Sequence, residues 1–378
     1  MAGSRTARTG LVLGAGGVLG GAWMAGAMHA LAEKTRWYPR HADCIVGTSA
    51  GAVLAALGGA GVPPWLLIPG TSNVYHGRID ASGRLQIDED LWTRIILRRR
   101  LGLPHLRPGS LSMAWTSVRQ GRSAFFKALC GLAPSGFIST GPIKETVRWV
   151  APGGRIDHQN TWIVACDYRS GARVVFGREG APEVDIAQAV AASCAIPGYY
   201  CPEVIDGRAY VDGGVHSMSN LDLLLGLDLD LAIVLSPLST RERFSGWDPL
   251  NRFSDATRQV FARQLDAEIR LLEAEGTRVV LLEPLAEDLI AIGHNVMDDR
   301  RRGRVMETAT RTTRERLDRP ELAPLLAAIE RGPAARPGTA PKVEPAAAAL
   351  PSPAPPSARP ATRPAEAPAR SRPSPRLA

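Results

Sequence analysis

Cysteine is scarce in this chain of 378 residues, and the five that occur (Cys44, Cys130, Cys166, Cys194 and Cys201) form no Cys-x-x-Cys pair and no paired histidine spacing. An odd, scattered set excludes a disulfide scaffold and a zinc site, leaving Cys44 and Cys166 as small core residues. Long apolar runs are absent too. The nearest to one, Leu11 to Ala32 behind Arg5 and Arg8, is broken by Gly14, Gly16, Gly17, Gly20, Gly21 and Gly26. It imitates a secretory signal poorly and reads better as strand, loop and helix. No other run approaches bilayer-spanning length. The expectation is a cytoplasmic protein, with secretion by another route as the alternative.

Two phosphate-binding signatures are missing as well. No Gly-Lys-Ser/Thr follows the first glycine loop, which excludes a Walker site. The sixth position from Gly14 is Leu19, and no acidic residue ends the second strand, so a dinucleotide fingerprint fits in no register. Positive charge is sparse where a fold is expected. The formal net charge is +8, but residues 332–378 hold seven Lys/Arg against Glu344 and Glu366, leaving +3 for the preceding 331 residues. That balance argues against a nucleic-acid partner. The same tail holds 13 of the 30 prolines. Such a segment cannot bury enough apolar surface to offset its ordering entropy, which predicts a disordered Pro/Ala/Arg-rich tail with no identifiable partner. The expected organisation is a flexible N-terminus (1–8), one folded domain (9–331) and the tail (332–378).

What is present is organised around Ile45 to Leu54, which reads as a buried strand, a sharp turn at Gly47-Thr48-Ser49-Ala50-Gly51 and a helix. A serine at the tip of such a turn needs neighbours without side chains, because the helix packs back onto the strand it left. Gly47 and Gly51 supply that clearance. The hydroxyl then points away from the sheet at a helix N-terminus, where backbone N–H groups and the helix dipole favour developing negative charge. Small-residue turns between strand and helix also occur throughout α/β proteins, so the motif alone leaves both readings open.

Upstream, Thr9 to Leu13 and the loop Gly14-Ala15-Gly16-Gly17-Val18-Leu19-Gly20-Gly21 lead into a helical pattern from Ala22 to Lys34. This is the βα opening of a parallel sheet. Consecutive parallel strands tend to be neighbours, which predicts this loop beside Ser49. Between Gly58 and Ser139, aromatic, apolar and basic residues interleave (Trp65, Trp92, Arg98 to Arg100, Trp115, Phe125, Phe126). That composition suits a lid or a surface touching lipid headgroups. A helical cap with core aromatics and solvated arginines suits it better.

A helix is expected over Gly141 to Val150, an antiparallel pair over Thr161 to Cys166 and Ala172 to Phe176, and a small-residue helix over Ile186 to Cys194. Ala209-Tyr210-Val211 then runs into Asp212-Gly213-Gly214, either a site aspartate at a strand end or a plain turn. Leu231 to Leu235 and Val279 to Leu282 are further strands, with a helix from Ala256 to Glu275 between them and a closing helix from Met306 to Ile329.

The glycine loop, Gly47-Thr48-Ser49-Ala50-Gly51 and Asp212-Gly213-Gly214, in that order, resemble the patatin-like phospholipases, serine lipid acyl hydrolases. The likeness continues through Ala192-Ser193-Cys194-Ala195-Ile196-Pro197-Gly198, Asn220-Leu221-Asp222-Leu223 and the Asp298-Asp299-Arg300 region, covering about residues 9–310. The resemblance implies an α/β fold with a central, mostly parallel sheet sandwiched between helices. It also implies a Ser-Asp dyad without histidine, with Ser49 as nucleophile, Asp212 as general base, and the N–H groups of Ala15, Gly16 and Gly17 as the oxyanion hole. Gly14, Gly20, Gly47, Gly51, Gly213 and Gly214 would support the motifs. The expected substrate is a phospholipid or related lipid ester, with no cofactor or metal and with peripheral contact at the membrane. This chain departs from the family at Leu19, where a basic residue is usual, and at Ala15, where the loop's first glycine is usual; backbone donors survive both changes.

An α/β-hydrolase with a Ser-Asp-His triad is the first rival, but Ser49 comes too early in the chain for that fold. His216 and His294 are its only candidate histidines. The second rival is a non-catalytic lipid-binding or scaffold protein on the same fold.

Overall fold

A computed structural model of the chain describes residues 7–64, 78–79, 85–86, 109–110, 112–115, 130–134, 136–242 and 249–330. Most of the expected cap between Gly58 and Ser139, and the whole tail, lie outside the described residues.

The runs Thr9–Leu13 (β1) and Cys44–Thr48 (β2) are buried at every position. Strands covered on both faces read as unbroken apolar stretches, and here each face has its own core. Leu11, Leu13 and Ile45 point into a layer with the helices Gly17–Thr35 (α1) and Ala50–Gly59 (α2); Val12 and Val46 point the other way. The chain continues through Gly141–Val150 (α3), Thr161–Asp167 (β3), Arg173–Phe176 (β4), Ile186–Ser193 (α4), Glu203–Ile205 (β5) and Arg208–Asp212 (β6). It closes with Leu231–Leu235 (β7), Pro249–Ala274 (α5), Arg278–Leu282 (β8), Ala286–Ile292 (α6), Arg302–Leu317 (α7) and Ala323–Ala327 (α8).

Strands pair in the order β8-β7-β1-β2-β3-β6-β5, with β4 also on β3. The five from β8 to β3 are parallel, while β4, β5 and β6 add antiparallel pairs. The fold is therefore the expected α/β sandwich around a mostly parallel sheet, with β1 and β2 adjacent. α1 is apolar on nearly all sides, as a buried helix should be. It packs on α7 at Gly26, where a methyl group would come within 2.4 Å of the Met306 carbonyl.

The register decides where the site forms. Ile163 of β3 pairs with Gly47 of β2 and Phe176 of β4, so β2 and β4 lie on opposite edges of β3. Ala165 pairs with Val174 of β4 and with Asp212, which puts β6 on the edge already used by β2. β2 and β6 thus run toward each other along one edge of β3 and end at adjacent positions, Thr48 opposite Val164 and Asp212 opposite Ala165.

The helix expected from Met306 to Ile329 is instead two, α7 and α8, divided by a 3-10 turn at Pro320–Leu322. Pro320 has no N–H to continue the ladder and its ring clashes with the preceding turn. No described helix is long and apolar enough to cross a membrane.

Candidate functional site

Three glycines show why the motifs meet. A methyl group at Gly47 would fall 2.6 Å from Ala55 Cβ and 2.7 Å from Ala52 Cα, so α2 lies directly on the strand it left. At Gly51 it would fall 2.0 Å from the Leu13 carbonyl oxygen and 2.7 Å from that of Gly14, so the serine turn touches the start of the glycine loop. At Gly214 it would stand 3.4 Å from Ala15 Cβ, which brings the Asp-Gly-Gly turn onto the same loop.

Ser49 sits at φ +56°, ψ −121°, a conformation that costs a non-glycine residue about 1–3 kcal/mol. Its backbone is pinned from the end of α4. The Ser49 N–H donates to Ser193 Oγ (2.9 Å), that hydroxyl donates to the Val164 carbonyl (2.5 Å), and the Cys194 thiol donates to the Ser49 carbonyl (3.2 Å). Serine at a helix start commonly caps the backbone, but the Ser49 hydroxyl makes no such bond. It lies near enough the Asp212 carboxyl to hold that group's pKa down.

Asp212 is only 5% exposed. Its N–H donates to the Ala195 carbonyl (3.0 Å), and its Oδ1 accepts the Gly214 N–H (2.7 Å). Burial raises its pKa to about 6; the hydrogen bonds from Ser49 and Gly214 hold it from rising further. No histidine contributes to that shift. Two thiols register the same charge. Burial first, and then Asp212, push Cys130 up to about 11 and Cys194 well above its ordinary value. Both are therefore protonated thiols, poor nucleophiles at neutral pH.

The glycine loop divides into tethers and open amides. Gly14 N–H donates to the Leu235 carbonyl (3.0 Å), and Ala15 N–H to the Met218 carbonyl (2.8 Å). Ala15, expected as an oxyanion donor, is thus engaged in holding the loop. Among the described residues, no backbone partner is found for the N–H of Gly16 or of Gly17, which lie at the start of α1. Gly17 has φ +61°, and a methyl group there would meet Met297 Sδ at 2.9 Å. Leu19, at the position of the family's usual cation, is fully buried.

A cavity of about 140 Å³ opens beside Ser49. Its wall is largely apolar, with Val18, Ala22, Val53, Leu54, Ile143 and Met306 along it. Neither His216 nor His294 lines it, and His294 is exposed. All five cysteines are free thiols, and among the described residues no group of three His, Cys, Asp or Glu is arranged to hold a metal.

Sequence reasoning missed the supporting shell. Asn220 Nδ2 donates to Thr48 Oγ1 (3.1 Å) and to the Ser217 carbonyl (2.7 Å), and Arg173 forms a two-pronged pair with Asp222 (2.7 Å on each arm). Buried Glu268 on α5 accepts from the Ser217 and Ser219 hydroxyls (2.8 and 2.5 Å) and from the Leu221 N–H (3.0 Å). Ser193 and Asn220 stood in stretches already singled out, but nothing local showed what they would touch.

A sequence profile described as "Patatin-like phospholipase" matches residues 11–225. Among solved structures, VipD from Legionella pneumophila is similar over 83% of this chain and 67% of its own, at 14% identity and a TM-score of 0.36.

Proposed function

The chain belongs to the patatin-like phospholipase family, and on that premise we propose that it cleaves carboxylic esters of lipids through Ser49, with Asp212 as the sole general base. The observation that carries this reading is a buried carboxyl, its pKa raised to about 6, beside the hydroxyl of a serine in a strained turn that borders an apolar cavity. A carboxylate near its ordinary pKa of about 3.9 is a poor base for a hydroxyl, and desolvation makes it a better one. The proton need not pass through an imidazole.

In the proposed reaction the lipid acyl chain lies along Val18, Val53 and Leu54, and its carbonyl stands over Ser49. Asp212 takes the hydroxyl proton as Oγ attacks the carbonyl carbon. The carbonyl oxygen becomes an oxyanion, which the N–H groups of Gly16 and Gly17 stabilise at the positive end of α1. The intermediate collapses as protonated Asp212 gives its proton to the departing alcohol oxygen, the ester C–O bond breaks, and an acyl-Ser49 ester remains. Water enters, Asp212 takes one of its protons, and the same sequence in reverse releases the fatty acid and restores the serine. Each amide donor is worth about 3 kcal/mol of transition-state stabilisation.

The test joins fluorophosphonate labelling to a panel of lipid esters. Wild type is expected to be labelled at Ser49 and to hydrolyse lipid esters; Ser49→Ala and Asp212→Asn are expected to abolish turnover, while His216→Ala and His294→Ala keep it. Loss of turnover in either histidine variant would favour a triad. Absence of labelling on native protein would favour a non-catalytic lipid binder.

A further inference from the structure

Helix α5 lies on the face of the sheet that the cavity does not use: its Leu265 and Leu272 pack with Val12 and Val46, and none of its described residues lines the cavity. It nevertheless buries a carboxyl that the proposed reaction leaves idle. Glu268 is 8% exposed and faces residues 217–221, the loop that follows the Asp212-Gly213-Gly214 turn. Three donors of that loop converge on it. The Ser217 hydroxyl donates to Oε1 at 2.8 Å, and the Ser219 hydroxyl and Leu221 N–H donate to Oε2 at 2.5 and 3.0 Å. Burial raises the pKa of Glu268, and these hydrogen bonds act in the opposite sense. Each donor would be left unsatisfied in a buried place if the loop moved away, so the carboxyl fixes where the loop sits.

The other side of the same loop touches all three motifs. Between the two anchored serines, the Met218 carbonyl accepts the Ala15 N–H at 2.8 Å, and it would lie 3.1 Å from a methyl group at Gly14. Met218 Sδ would lie 3.2 Å from a methyl group at Gly214, and Asn220 Nδ2 donates at 3.1 Å to Thr48, the residue before Ser49. The amide held by Met218 immediately precedes those of Gly16 and Gly17, the proposed oxyanion donors. Such donors act only at about 2.7–3.1 Å from the place where the charge forms. The position of the loop therefore bears on the transition state as well as on packing.

Resting on the acyl-hydrolase reading above, we infer that Glu268 is a positioning residue for the oxyanion donors: from behind the sheet it clamps Ser217 and Ser219, and the Met218 carbonyl between them sets the glycine loop against the reacting carbonyl. Glu268 itself touches neither substrate nor reacting atoms.

Steady-state kinetics on p-nitrophenyl butyrate, with urea midpoints on the same preparations, test this against a purely structural role. Glu268→Ala is expected to lower kcat and kcat/KM together by about a hundredfold at constant KM, because displaced donors cost the transition state while the cavity wall is untouched. Glu268→Gln keeps the shape and one acceptor oxygen, and is expected to recover about tenfold of that loss. Where Glu268→Ala does not fold, Ser219→Ala removes one of the three donors and is expected to lower kcat about threefold at constant KM. Leu317→Ala is the control, a cavity in the core at the C-terminal end of α7 that lowers the urea midpoint and leaves kcat within about twofold of wild type. An equal loss of kcat in Leu317→Ala at matched stability would mark Glu268 as structural and overturn the inference. So would an effect of the Glu268 variants on KM alone, or unchanged kcat in Glu268→Ala or, where that does not fold, in Ser219→Ala. Hydrogen exchange separates the two readings: the glycine-loop peptide is expected to exchange about tenfold faster in the Glu268 variants than in wild type, with or without turnover. A wild type inert toward esters would overturn the acyl-hydrolase reading, whereas unaltered exchange in an active enzyme would overturn the positioning role alone.

Discussion

The two halves of the site are built in different ways. The serine half is local: β1, the glycine loop, α1, β2, the turn and α2 follow one another within residues 9–59, and the parallel β1–β2 pair sets them side by side. The aspartate half is assembled over long range. Asp212 reaches Ser49 because β6 enters antiparallel along the edge of β3 that β2 vacates at Thr48. The difference teaches that the unusual backbone of the serine turn can be encoded by two glycines, whereas the basicity of Asp212 is a property of its burial and exists only when the whole sheet does. Damage to the first half should therefore appear in folding and geometry, and damage to the second in protonation.

The largest expected effects come from removing one proposed reacting group from each half. Ser49→Ala is expected to lower ester turnover by roughly ten-thousandfold or more, and Asp212→Asn by about a thousandfold, both measured on purified protein whose circular dichroism is unchanged. Next in size is Gly51→Ala. The added methyl would lie 2.0 Å from the Leu13 carbonyl oxygen, backbone that can move only by pushing β1 and the loop apart. Overpacking of that kind is expected to cost about 3 kcal/mol or more, read as a lowered urea midpoint or as failure to accumulate folded protein. If Gly51→Ala were as stable as wild type, the local half would not depend on the clearance argued here.

This contrast also explains what could be read from the chain. Gly47, Gly51 and the β1–β2 pairing were legible because steric needs of a turn and the adjacency of consecutive strands are written in nearby residues. Strands such as Leu231–Leu235 were legible because burial on both faces leaves an unbroken apolar run. Asp212-Gly213-Gly214 read by itself as either a turn or a site, and only the family resemblance singled it out. Ala15 appeared among the donors because a glycine-rich loop does not reveal which of its amides are engaged by Met218, more than 200 residues away. Asn220 on Thr48, Ser193 on Ser49 and Glu268 on Ser217 are contacts between distant segments, and no local pattern carries them. The break at Pro320 is a local signal that runs against the helical spacing of Met306 to Ile329.

A third prediction sets the halves against each other through pH. Asp212 has a pKa of about 6 when folded, and about 3.9 is expected in the unfolded chain. Below about pH 4 the group is protonated in both states and costs nothing. As pH rises from about 4 to 6 the unfolded chain ionises first, so the stability that protonated Asp212 lends the fold is lost, amounting to about 3 kcal/mol above pH 6. Asp212→Asn should thus be more stable than wild type at pH 8, by up to about that amount, with the advantage vanishing near pH 4; urea midpoints at the two values measure it. Activity of the wild type should move the opposite way, kcat/KM rising through about pH 6 to a plateau. An inactive Asn variant with no gain in stability at pH 8 would show that burial of Asp212 does not strain the ionised state.

The smallest expected effect lies where the halves join. Ser193 accepts the Ser49 N–H and donates to Val164, so its hydroxyl ties the strained turn to the strand that also pairs with Asp212. Ser193→Ala leaves a buried N–H and relieves the turn of one anchor, and such an unsatisfied donor costs about 1–3 kcal/mol. Stability should fall by that amount, and kcat should fall about tenfold as Ser49 drifts from its carboxylate, a displacement to which reacting groups are sensitive. KM for a short-chain ester should change little, because the cavity wall away from the turn is untouched. Ser193→Thr restores the hydroxyl but adds a methyl to a fully buried position, so it separates hydrogen bonding from packing. If Thr recovers the rate while remaining less stable, the bond to Ser49 is what joins the local half to the distant one. If neither variant alters kcat, the serine turn keeps its geometry without help from α4, and the two halves meet only at the carboxylate.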